Sequence, residues 1–389
     1  MTTDPDFERD LERLMSRVKL PDSEQWVPAA MQARRVPWAV IAGTAAAALL
    51  LAIAIGVVAR PSDPATATAT PLELRGPATL RVGVLAPDEA VMVAADDGAF
   101  AHVRRAPDDT TTLYVTDLRT GEQRTIVTTP GRFIWLQPGA IRRDLVTYVE
   151  EEVPQPRATA PGRPLPVIWH VMVANWRSGA TPKEFDAIPG EVGPGTAKEM
   201  PDPVTNGNEV VWRHAPRVSG VLGDVWIWRS DGNSGSVVLL GEARYAIDDS
   251  GRVAVSRSVD AANTSWDLIL YEANGSARRL VMGRNQDGLP YVAGAKIVWP
   301  RYGSGNVTSV DVIDIGNGSV QSVAPVNCSF IGATVKDLVF ACGAGTRLYP
   351  IGGATVVDLT SVSMARLVQA EAHAITGRDT AAITVTPVP

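Results

Sequence analysis

Residues able to do chemistry are few in this chain and scattered along it. The histidines stand at 102, 170, 214 and 373, and the cysteines are Cys328 and Cys342. There is no G-x-S-x-G, H-E-x-x-H, Walker A or G-x-G-x-x-G spacing. Asp-Asp-Gly at 96–98 and Asp-Asp-Ser-Gly at 248–251 offer carboxylates without the alternating spacing of a calcium loop, and suit hairpin turns instead. His102 and His214 fall in strand-like runs, where a histidine is expected as a core or rim residue. No catalytic residue, metal ligand set or cofactor is indicated. The polar residues that stand out are Glu150, Glu151 and Glu152, which lead into EEVPQPRATAPGRPLP (151–166) with Arg157 and Arg163, and Lys198 and Glu199 in PGEVGPGTAKEMPDP (189–203). Long loops are where function concentrates and also where insertions are tolerated, so these charged residues are candidate partner contacts, with a neutral insertion as the alternative.

The elements that must position these loops repeat. A short β-run preceded by turn residues recurs at Phe100, Leu145, Val210, Val253, Ile297, Leu338 and Ala381, in steps of 45, 65, 43, 44, 41 and 43 residues. Between copies lies a second strand pair with its own tight turn, as in LYVTDLRTGEQRTIV (113–127) and VDVIDIGNGSVQSV (310–323). Four antiparallel strands every 43 residues or so is the period of a β-propeller blade. The expected fold is therefore all-β, a seven-bladed β-propeller over residues 72–389, with six blades as the alternative. Seven copies of the first pair stand against six of the second. The stretches 72–74 and 79–85 are accordingly expected to supply the missing strands of the last blade and close the ring. The 65-residue step holds both Pro-rich loops. In an up-and-down blade they emerge at the same end.

Cys328 and Cys342 flank a hairpin that turns near Val335, which sets them opposite each other and within disulfide range. Outside the cytoplasm they are expected to be oxidised.

Turn phrases such as Asp117-Leu-Arg-Thr-Gly-Glu and Asp249-Ser-Gly-Arg, together with the period, resemble the TolB-like and WD40-like propellers of exported bacterial proteins. The Trp-Asp dipeptide of true WD40 blades is absent except at Trp266-Asp267, in another register. The likeness is architectural and implies the fold rather than an activity.

Upstream of the repeats, residues 38–58 (WAVIAGTAAAALLLAIAIGVV) carry no charge. As a helix they span about 31 Å, the thickness of a bilayer's hydrocarbon core. Arg34 and Arg35 abut the segment on one side and Arg60 stands nearly alone on the other. This bias predicts a single-pass anchor in the cell membrane with a cytoplasmic N-terminus and an extracytoplasmic propeller. Residues 1–37 form the cytoplasmic segment. Within it Phe7, Leu11, Leu14, Met15 and Val18 give 6–20 an amphipathic helical pattern, a face for the membrane surface or a cytoplasmic partner. Residues 59–71 (ARPSDPATATATP) are a Pro/Ala/Thr linker.

The net charge is −6, of which about −5 lies beyond residue 37. That excludes the basic field a nucleic-acid binder needs. The expected function is a non-enzymatic module that binds or senses a protein or small-molecule ligand. The alternative is a propeller enzyme, a hydrolase or lyase, with one residue from each of several blades converging on the axial channel.

Overall fold

The computed structural model describes residues 80–82 and, from 93 to 387, all but 97, 107, 131–133, 154–164, 193–199, 219–220, 223, 242, 261–263, 286–287, 303–306, 343–344, 352–356, 360–366, 372–373 and 379–382. The expected anchor, linker and 6–20 helix lie outside these residues, as do Arg157, Arg163, Lys198 and Glu199. Among the described residues there is no helix, and so none long and apolar enough to cross a membrane.

The described chain is all-β. In order, Val93–Asp96, Ala99–Arg105, Thr111–Asp117 and Gln123–Thr129 form the first four-stranded sheet; Ile134–Arg142, Leu145–Glu152, Leu165–Asn175 and Lys183–Val192 form the second. Val204–Thr205, Val210–His214, Trp226–Ser230 and Gly235–Leu240 make the third, and Ala243–Ile247, Val253–Ser258, Trp266–Tyr271 and Ala277–Arg284 the fourth. The fifth holds Tyr291–Ala293, Lys296–Tyr302, Val307–Asp314 and Val320–Val323. Each is a simple antiparallel meander, as the alternation of apolar runs with Gly, Asp and Asn turns predicts.

The sixth sheet has eight strands. Cys328–Ala333, Asp337–Cys342, Gly345–Pro350 and Val357–Leu359 make one half; Leu367–Glu371, Ala374–Arg378, Ile383–Pro387 and Leu80–Val82 make the other. A single parallel bridge, Gly332 with Ala370, joins the halves. Leu80 pairs with Val385 and Val82 with Ile383, so upstream residues do pair with the C-terminal strand. The expected division of strands is corrected: among the described residues three come from the C-terminal part of the chain and one from upstream, while 72–74 lie outside them. Ala374–Arg378 was hidden because Gly377 and Arg378 interrupt its apolar alternation, and of the copy expected at 381–383 Ile383 opens the third strand of its half.

The core lies between sheets. Leu113 and Val115 of the first meet Val146 and Tyr148 of the second; Val171 and Trp169 meet Val210 and Trp212 of the third. Val211 and Ile227 then meet Val253 and Ile269, and Leu268 and Leu270 meet Ile297 and Trp299. Opposite faces of one strand thus serve two neighbours, and Trp266–Tyr271 is buried along its whole length. Fourth strands are more exposed, as in Ala277–Arg284. The inner strands of the first five sheets touch in sequence, Val307–Asp314 of the fifth meets Cys328–Ala333 of the sixth, and Ala374–Arg378 returns to Val93–Asp96. Tryptophans 169, 176, 212, 266 and 299 are all buried and pack the sheets against one another.

Cys328 and Cys342 form the expected disulfide, with Cα atoms 4.2 Å apart. The hairpin turns at Thr334–Asp337, half a residue later than a symmetric pairing of the cysteines requires. A bulge between Phe330 and Gly332 takes up the difference and sets Cys328 opposite Cys342.

Candidate functional site

In every meander the first and third turns lie at one end, here called the turn end, and the second turn and the link to the next sheet at the other, the connection end. The second sheet carries both Pro-rich insertions. Glu152 pairs with Ile168, and Leu165 pairs with Val192, so the described anchors of both insertions sit together at the connection end. The ribbon of Arg217–Val218 and Val221–Leu222, which the sequence reading missed for its brevity, packs against Lys183–Val192 from the third sheet's second connection.

Glu150, Glu151 and Glu152 are strand residues, not loop residues, because the third strand runs out to Leu165 and pairs with them. Alternation of side chains then divides the triplet. Glu151 lies beside Trp169 on the face toward the third sheet, 5% exposed. Burial pushes its carboxyl above the usual carboxylate range, with the Trp169 indole opposing.

Glu150 and Glu152 share the other face with Tyr148, His170 and Glu184. His170 Nε2 lies 3.1 Å from Glu152 and Nδ1 lies 2.7 Å from Glu184. The ring is clasped between the two carboxylates. Burial raises the Glu150 carboxyl; Glu184 and Glu152 add to the rise, while His170 and the Tyr148 hydroxyl oppose it. Burial likewise pushes the Tyr148 phenol up.

Toward the third sheet, Asp186 Oδ2 accepts the Trp212 indole N–H at 2.8 Å and lies 2.7 Å from His214 Nδ1. This carboxylate fixes the ring and aims Nε2 away from it. His102 stacks between Phe100 and Tyr114 at 5.2 and 5.4 Å, the core role expected of it. Among the described residues no three His, Cys, Asp or Glu are grouped to hold a metal ion.

At the turn end the paired aspartates have other uses. Asp248 Oδ1 accepts the backbone N–H of Ser250 and of Arg252, closing its turn. Asp96 and Asp249 both bind Arg142: Nη1 is 2.9 Å from Asp96, and Nε and Nη2 are 3.0 and 2.8 Å from Asp249. Sequence reasoning missed Arg142, since Arg-Arg-Asp in a turn reads as solvated charge. The third turns of the first, second, third and fifth sheets share one chemistry: Asp117, Asn175, Asp231 and Asp314 each accept two backbone N–H groups from the residues two and three ahead. Burial tends to raise the Asp117 carboxyl, but the Arg119 N–H and Arg177 overcome it and hold it below the usual range.

No family model matches the sequence, and no curated protein matches it either. Solved structures do match. An oligogalacturonate lyase in complex with manganese aligns over 82% of this chain and 97% of its own, at 14% identity and TM-score 0.51. A structure from a study of two prolyl endopeptidases aligns over 77% of this chain at 14% identity and TM-score 0.51; the chain spans half its length. TolB from Acinetobacter baumannii aligns over 75% of this chain and 65% of its own, at 16% identity and TM-score 0.38. With the repeated meanders, the first two likenesses place the fold among the β-propellers. At such identities they speak to fold alone.

Proposed function

We propose that the chain is a seven-bladed propeller held outside the cell membrane by residues 38–58, and that it acts as a non-enzymatic binding or sensing module. The count of seven takes the eight-stranded sheet as two blades, which its single bridge supports. The partner, a protein or a small molecule, docks at the connection end, where the described strands lead into the two insertions and carry Glu150 and Glu152, with Arg157, Arg163, Lys198 and Glu199 as further contacts. The observation that carries this reading is Arg142. It takes up the two aspartates, Asp96 and Asp249, that could otherwise form an acid pair on the axis at the turn end.

Crosslinking on intact cells tests it. Deleting 154–164 is expected to remove the captured partner while the domain stays folded; unchanged capture overturns the docking site. Protease added to spheroplasts is expected to digest 72–389 and spare 1–37. A cytoplasmic partner of 6–20 would be lost on Leu11→Asp.

The enzyme reading is favoured by one observation, a Glu150 carboxyl raised by burial on a face it shares with His170, Glu152 and Glu184. Oligogalacturonate and prolyl peptides are the substrates to try. Turnover lost in Glu150→Gln would establish the enzyme, and no turnover would support the binding module.

A further inference from the structure

Arg142 sits on the second sheet, yet its guanidinium contacts Asp96 of the first and Asp249 of the fourth. The third sheet lies between the second and the fourth in the order of contacts. A side chain about 7 Å long can pass over a whole sheet only near the axis, where the inner strands converge. The guanidinium is nearly buried, its side chain 10% exposed, as is that of Asp96 at 6%, while Asp249 is half exposed. A buried cation must be paired, and breaking such a pair is far costlier than breaking a surface one.

The neighbouring backbone is fixed as well. Arg143 has φ 52°, in the left-handed region that a non-glycine residue rarely adopts. Its N–H donates to Asp96 Oδ2 at 3.1 Å, and its carbonyl accepts the Trp176 indole N–H at 2.8 Å. The side chain of the preceding residue, Arg142, meets Asp96 and Asp249. Outside it, Arg177 joins Asp117 of the first sheet at 3.0 Å and Asp144 of its own at 2.6 Å, so charge pairing continues from axis toward rim.

We infer that Arg142 is a cross-axis lock: it ties the turn ends of the first, second and fourth sheets into one unit and closes the axis at that end. Loosening any one of the three turns then loosens the other two. A ligand of the axial channel would have to come from the connection end.

Amide hydrogen exchange on the whole protein tests the lock, with Arg142→Met, Asp249→Asn and the double variant. In Asp249→Asn, exchange is expected to accelerate about tenfold not only at 248–252 but also at 142–144 and 98–99, while the third turn of the fifth sheet, 315–319, stays as it was. Arg142→Met is expected to lower the melting midpoint by about 6 °C or more. The double variant should melt no lower than Arg142→Met, because both changes cut one connection. Acceleration confined to 248–252, or additive midpoint shifts, would overturn the lock. If Arg142→Met does not fold, Asp249→Asn decides by itself through the exchange pattern.

Discussion

The two ends of the propeller are built on different physics. At the turn end, charge and hydrogen bonds to backbone stitch the first sheet to the second, the second to the third and the fourth to the fifth. Arg142 and Arg177 join the first two sheets, and the Arg124 guanidinium also donates to the Arg177 carbonyl at 2.6 Å. Lys183 reaches the Gly232 carbonyl, and Arg252 the Gly294 carbonyl. The connection end has the insertions, the 217–222 ribbon and most of the exposed large apolar residues described: Leu165, Val259, Met282, Leu289 and Val326, against Val320 alone at the turn end. Its support is packing, such as Trp169 beneath Gly190. A scaffold needs fixed turns, and a docking surface needs loops that can vary on top of it.

The largest effect should come from packing. Trp169→Ala is expected to lose about 3–5 kcal/mol in urea unfolding, independent of salt. Removing the disulfide with Cys328→Ala and Cys342→Ala, which closes a separation of 14 residues, should lose about 3 kcal/mol. Gly190→Ala should lose about 1–3 kcal/mol, since a Cβ there would stand 2.1 Å from the Trp169 ring. Arg177→Ala at the turn end should lose about 1 kcal/mol or less, and the loss should shrink with added salt. A salt-sensitive Trp169→Ala or a salt-insensitive Arg177→Ala would break the comparison.

The smallest effects are in pH, and the two ends should respond in opposite senses. Glu151 has a raised folded pKa, so its contribution is complete below the ordinary value of 4.5 and is lost as pH rises through the raised one. Glu151→Gln is therefore expected to raise the melting midpoint at pH 7 and leave it unchanged at pH 4. Asp117 is lowered, so its contribution is present above 3.8 and lost as pH falls through the folded value. Asp117→Asn should melt earlier at pH 7, and its gap to the parent should narrow as pH falls below 3.8. Melting curves across that range give the signs directly.

Local patterns were legible in the sequence; convergence in space was not. The 43-residue period, the tight hairpins and the facing cysteines all follow from neighbours along one or two strands. The Glu150–Glu152 triplet was visible, but not its division between two faces, which depends on how far the strand from Leu165 pairs outward. The Asp186, Trp212 and His214 group joins two sheets through residues 26 and 28 positions apart. Arg142 meets Asp249 across 107 positions. No period marks either, because each is made once.

Everything said of the two ends depends on a closed ring, so the junction of Leu80–Val82 with Ile383–Pro387 is the place to test it. Cysteine pairs at 80/385 and at 81/384 sample adjacent registers, one of which must be the closer, non-hydrogen-bonded kind. The account predicts that one of these pairs crosslinks spontaneously in oxidising buffer, seen as an intramolecular mobility shift reversed by reductant. If neither pair crosslinks in folded protein, the ring is open there and the account is contradicted.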